Sequence, residues 1–420
     1  GSERVPVRRG SGRVSVTLIL AVLLILSAGC VGAGQGGAVP DSGADTTDTR
    51  TIIDMRGKEV RVPAHIERVV TIDDGLVEGV MTVLGESGKI VGLGSSCLQK
   101  SSETTIPGVS GNYTYKNGMN PVRYLNPGFA DLPLVQESST GINYETLASL
   151  EPDVVIVRRG SCAASWGLND DSLNKNIDNI EKLGIPTVVV NAPPCYNDPD
   201  LSKISEEIKV IGRVFGKEER AKEIVAYVDG CVAMIESRTA NVPEKEKPRV
   251  LALGLSPQSR KAGGAGNVRG AIIAYYIEEI VNAANAYTVT RYVSDTGVVS
   301  AEHVLALDPD IIILPTSSGY HPPRELYSAP YYENLRELGA VKNKSVYALP
   351  YTPCNCDASR LEYPIDLMII AKAAYPDRFE DIKVNKWVLE FYQNVYGVDE
   401  ASARGMRSVQ WLDWAVEEDF

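Results

Sequence analysis

Two segments of this chain, 157 residues apart, are built to one plan. Glu145-Thr-Leu-Ala-Ser-Leu-Glu-Pro-Asp153 leads into Val154-Val-Ile-Val157; Glu302-His-Val-Leu-Ala-Leu-Asp-Pro-Asp310 leads into Ile311-Ile-Ile-Leu314. In each, a Glu suits the positive end of a helix, and apolar residues at helical spacing form a packing stripe. Pro then stops the helix and Asp turns the chain into a strand. The separation is too long for a stacked solenoid repeat and right for two similar lobes.

The rest of the chain supports that division. Short runs rich in Val, Ile and Leu at 69–72, 90–93, 154–157, 187–190, 250–255, 311–314 and 346–349 read as buried strands. Amphipathic patterns at 76–84, 144–150, 173–183, 201–215, 268–283, 301–307 and 331–338 read as helices between them. This alternation predicts an α/β fold with mainly parallel sheets flanked by helices. From Lys217 to Arg238 the only helix breaker is Gly230, so a long interdomain helix is expected there, with an ordinary crossover helix as the alternative. The expected organisation is a 1–29 leader, a 30–51 tether, a 52–216 N-terminal lobe, a 217–240 spine helix and a 248–420 C-terminal lobe. A hairpin is expected at 52–62, around Arg56-Gly57.

The first residues explain where such a chain works. Arg4, Arg8, Arg9 and Arg13 precede an apolar run at 14–26, then Ser27, Ala28, Gly29 and Cys30. This is the order of an export signal. A cysteine directly after the small residues fits lipid attachment at Cys30, although Ser27 stands where Leu or Val is usual. An ordinary signal or an uncleaved anchor is the alternative. Residues 31–51, rich in Gly, Ala, Asp and Thr, read as a flexible tether. Removing 1–29, with four Arg and one Glu, takes the net charge from −12 to −15. That acidity argues against nucleic acid as a partner.

Six cysteines follow Cys30, an even number that suits disulfides in an exported chain. Cys162 and Cys195 follow strands at the same edge of one sheet and are expected to pair, with Cys97 as competitor. Cys231, on the presumed spine, is expected to be a buried free thiol. With His65, His303 and His321 the only histidines, no metal site is expected.

Ligands of open α/β sheets bind beyond the carboxyl ends of the strands. The loops there carry Arg159, Trp166, Tyr196, Arg260, Tyr320 and Tyr351, our candidate ligand-binding residues. Arginine offers charge-assisted hydrogen bonds to anionic oxygens, and Tyr and Trp offer flat faces. The Gly263-Gly264-Ala-Gly266 stretch lacks a phosphate-loop spacing and reads as close backbone approach to a ligand. No catalytic motif is present: no G-x-S-x-G, H-E-x-x-H or Walker loop.

One family gathers these features. Ile53-Asp-Met-Arg-Gly-Lys-Glu-Val-Arg-Val-Pro63, Glu67-Arg-Val-Val70, Leu84-Gly-Glu-Ser-Gly-Lys-Ile-Val-Gly92, the two Pro-Asp segments and Val341-Lys-Asn-Lys-Ser-Val-Tyr-Ala-Leu-Pro350 make the chain resemble the substrate-binding lipoproteins of iron–siderophore, haem and cobalamin ABC importers. The resemblance covers about 50–400. It implies two lobes joined by a long, rather rigid helix, with a metal chelate held between them as cargo and no resident cofactor. It implies delivery to an ABC importer permease, docked through Glu145 and Glu302, by a monomer held by its lipid at the outer face of the cytoplasmic membrane. A ferric siderophore ranks first as ligand, a corrinoid second and haem third. An extracytoplasmic redox enzyme using cleft cysteines is the reading from another class, and reactive low-pKa thiols would mark it.

Overall fold

Strands form where β-branched residues run together, and helices cross between them. The computed structural model describes residues 48–106, 111–136, 141–161, 163, 170–196, 200–255, 257–268, 271–287, 297–315, 321–353 and 360–420. The leader, Cys30 and most of the tether lie outside them. Strands β1 (Thr49–Ile53) and β2 (Glu59–Pro63) form the expected hairpin, antiparallel around Gly57 at φ 76°. Buried Asp54 fastens it: its carboxylate accepts from Arg56 Nε at 2.8 Å and from the Val189 amide at 3.1 Å.

The N-terminal lobe is a four-stranded sheet of β3 (Val69–Ile72), β4 (Ile90–Leu93), β7 (Val154–Arg159) and β8 (Thr187–Asn191). Its order is β4-β3-β7-β8, and all pairs are parallel. Between β4 and β7 stands a hairpin, β5 (Ser102–Ile106) with β6 (Tyr113–Gly118). The C-terminal lobe is a mixed sheet of β9 (Arg249–Gly254), β10 (Gly266–Val268), β11 (Ala284–Asn285), β12 (Val298–Val299), β13 (Ile311–Leu314) and β14 (Val346–Ala348). Its path is β12-β10-β9-β13-β14, with β11 also on β9. The pairs among β9, β11, β13 and β14 are parallel, while β10 and β12 pair antiparallel. This corrects the helix expected over 268–283: Gly266–Val268 pairs with β9 instead, and helix begins only at Ala271, passing into a π-helical turn at Tyr276–Ile280.

The duplicated segments adopt the same geometry. Leu147 and Val304 are fully buried beneath the two helices, and Glu151 and Asp308, each just before Pro, both take left-handed backbone at φ 45° and 41°. Asp153 then accepts from the Glu67 and Arg68 amides at 2.7 and 2.9 Å, and Asp310 from the Arg249 amide at 2.8 Å. Arg68 and Arg249 each return a hydrogen bond to the helix end, on the Leu150 and Asp308 carbonyls.

A 22-residue helix, Glu218–Thr239, follows the first lobe. It starts after Gly216 in left-handed backbone at φ 64°, where a side chain would meet Arg50 at 2.8 Å. Its buried stripe of Ala221, Ile224, Val225, Val228, Cys231 and Ile235 packs on Ser202–Phe215 on one side and Tyr363–Ala374 on the other. Gly212 permits the close crossing, since a Cβ there would lie 2.5 Å from that of Ala221. Burying each branched side chain of this stripe contributes about 1.5–3 kcal/mol. The final helices Tyr363–Ala374 and Val384–Tyr396 share one continuous apolar core with the first lobe's Leu76–Val83 helix and the long helix.

Candidate functional site

The carboxyl end of β7 places two arginines side by side. Alternation along a strand sends them to opposite faces. Arg158 is fully buried and clamped by Glu207, Nε to Oε1 at 2.7 Å and Nη2 to Oε2 at 2.9 Å, with Asp73 at 3.9 Å. Burial disfavours charge on Arg158, but Glu207 and Asp73 more than offset it and raise its pKa. Glu78 is fully buried too; burial pushes it up to about 7, against the opposing pull of the Thr71 side chain. Burial likewise raises Asp73, against the pull of Arg158.

Arg159 faces the helix Asp171–Lys182. Its Nη2 donates to Asn174 Oδ1 at 2.6 Å, and its buried Nε has no partner. Burial, then the nearby Arg56, lower its pKa. Among the described residues no carboxylate pairs with it. Tyr196 sits beyond β8, with the Lys203 ammonium 5.3 Å from its ring centre, and lines a groove of about 590 Å³ with Thr51, Met55, Lys209 and Arg213.

In the second lobe Arg260 is already engaged. Its Nη1 donates to Glu325 Oε1 at 3.0 Å, the Tyr332 hydroxyl at 3.1 Å and the Leu255 carbonyl at 3.3 Å. The other oxygen of Glu325 bonds His321 Nδ1 at 2.6 Å, and His321 Nε2 is buried without a partner. Tyr351 follows β14 and is buried. It stacks on Trp411, ring centres 4.2 Å apart, and its hydroxyl bonds Ser102 at 2.6 Å. Trp166 and Tyr320 lie outside the described residues. In the Gly263–Gly266 stretch packing accounts for two glycines: a Cβ on Gly264 would lie 2.2 Å from Val298, and one on Gly266 2.6 Å from the Gly254 carbonyl, while Gly263 takes left-handed backbone at φ 79°.

Glu145 and Glu302 occupy equivalent positions, both exposed, one residue into helices capped by Asn143 and Ser300. Each sits on the helix that precedes a central strand of its sheet.

A family model of periplasmic binding proteins matches residues 107–352. The chain belongs to this family. This periplasmic binding protein is 23% identical to the molybdate-binding protein MolA of Haemophilus influenzae, over 83% of this chain and 91% of that one. It is 22% identical to the ABC transporter substrate-binding lipoprotein YvrC of Bacillus subtilis, over 74% and 87%. Its fold is that of a periplasmic solute-binding protein from Veillonella parvula, with a TM-score of 0.64 and 22% identity, covering 89% of this chain and all of the other. It is thus a solute-binding component of an ABC transporter, working outside the cytoplasm, and not an enzyme. No helix among the described residues is long and apolar enough to cross a membrane.

The thiols of this binding protein agree. Cys195 is a free cysteine, so the expected Cys162–Cys195 disulfide does not form. Its sulfur rests instead over Gly160, where a Cβ would lie 2.7 Å away. Cys97, the competitor, is the disulfide-bonded residue, and its partner lies outside the described residues. Cys231 is a buried free thiol, as expected. Burial pushes both free thiols up to about 11, away from the reactive thiolate a redox enzyme needs.

The buried acids Glu78, Glu207 and Glu325 are not among the residues the sequence points to. Glu207 carries a legible sign: it falls on the apolar stripe of Ile204, Ile208 and Ile211, where a charge must be paired.

Proposed function

We propose that this protein captures an anionic metal chelate between its lobes, a ferric siderophore before a corrinoid, and hands it to an ABC permease that docks on Glu145 and Glu302. Cys30 carries the lipid that holds it at the membrane. The observation that supports an anionic cargo is Arg159. In an acidic chain it is a buried cation at a strand's carboxyl end, with an unpartnered Nε and, among the described residues, no carboxylate in ion-pair contact with it. A bound anion would supply the missing acceptor at a gain typical of charge-assisted hydrogen bonds, about 1.5–3 kcal/mol. The molybdate-binding relative favours a second reading, a bare metal oxyanion.

Calorimetric titration with a ferric catecholate, a ferric hydroxamate, cyanocobalamin and sodium molybdate separates the two. A ferric chelate is expected to bind at micromolar or tighter, and Arg159→Gln to weaken it about tenfold, or roughly 1.4 kcal/mol. Tight binding of molybdate alone would replace the chelate with the oxyanion.

A further inference from the structure

The geometry points to the β5–β6 hairpin as a strap that ties the two lobes together along one flank of the cleft and sets their spacing. The insert leaves the sheet at the carboxyl end of β4, the edge strand of the first lobe. It lands beside the carboxyl end of β14, the edge strand of the second. Four contacts hold it there. Ser102 accepts from the Tyr351 hydroxyl at 2.6 Å, and the Trp411 indole N–H donates to the Lys116 carbonyl at 2.9 Å. The Tyr115 ring packs 5.8 Å from Trp411, and the Arg324 guanidinium lies 4.6 Å from the centre of the Tyr113 ring.

Gly118 makes the landing possible. A Cβ there would lie 2.3 Å from the indole. Beyond it the Met119 amide donates to the Val409 carbonyl at 3.0 Å. The helix Pro121–Leu125 then wedges between the first lobe's Leu76–Val83 and the C-terminal Glu400–Val409. The long helix Glu218–Thr239 joins the lobes through the chain itself. The strap is a further, non-covalent joint near the ligand loops, added to that helix and to the C-terminal helices that pack on the first lobe.

A joint on this flank resists hinge opening there. Cargo therefore exchanges on the opposite flank, where β8 is the edge strand and Arg159 and Tyr196 stand, unless the strap detaches. This goes beyond the choice of cargo, and its test needs no ligand, so it stands or falls independently of the chelate reading.

Hydrogen exchange and small-angle scattering of the ligand-free protein decide it. In Trp411→Ala, amides of 102–106 and 113–118 should exchange at least tenfold faster, and the radius of gyration should rise. Should that variant not fold, the hairpin can be replaced by a short Gly-Ser link, because Ser102 and Gly118 are paired at its base. That variant should show the same increase in radius with near-UV dichroism of the core retained. A freed or deleted hairpin with an unchanged radius of gyration would overturn the strap, as would hairpin exchange unaffected by Trp411→Ala.

Discussion

Glu78 has an ordinary pKa of 4.5, and burial in the fold pushes it up to about 7. Between those values the folded state keeps a proton that the unfolded chain has lost, so stability falls as pH rises through this window and levels off above it. Glu78→Gln keeps the shape of the protonated acid. It is expected to be nearly neutral at pH 4.5 and stabilising at pH 8, by up to on the order of 3 kcal/mol. Urea unfolding at both pH values measures this, and an equal effect at both would refute it. Single residues were the least legible scale in the sequence. Arg158 and Arg159 are adjacent and chemically identical, yet one is sealed against Glu207 and the other, among the described residues, is held by Asn174 with its Nε unpartnered. Which is which depends on the strand's facing, and that is set by partners tens of residues away.

At the scale of elements, the Pro-Asp turns carry the information. Asp153 holds two backbone amides of the strand entry beside it and Asp310 holds one. Hydrogen bonds to a charged group are worth about 1.5–3 kcal/mol. Asp310→Ala is therefore expected to cost about 1.5 kcal/mol in thermal unfolding and Asp153→Ala about twice that; equal losses would contradict the count of amides. These turns, the first hairpin and the buried strands were legible because each is a local pattern. The β5–β6 hairpin was not. Its strands, Ser-Glu-Thr-Thr-Ile and Tyr-Thr-Tyr-Lys-Asn-Gly, are polar on one side, and Trp411, which covers them, is nearly 300 residues further on. The packing of Tyr351 is hidden for the same reason: nothing near it in sequence announces the indole it stacks on.

For the whole molecule, the proposed docking role of the two exposed glutamates of the repeat can be separated from ligand binding. Charge reversal of both Glu145 and Glu302 should abolish uptake in cells while leaving the purified protein's affinity for its chelate within threefold, or about 0.7 kcal/mol; a tenfold loss of affinity would move them into the ligand site. The two-lobe plan was legible from the echo alone. The division into an N-terminal and a C-terminal half was too simple, because the last helices return to the first lobe. Gly79 lies against the Tyr396 hydroxyl, where a Cβ would approach to 3.3 Å, and Leu76, Val77, Val388 and Phe391 belong to one core. That return has a consequence for synthesis. One face of the first lobe's sheet is covered by residues from 70 to 189 alone, but the core on its other face, shared by Leu76 and Val77, lacks Val388 and Phe391 until some of the last forty residues have been made.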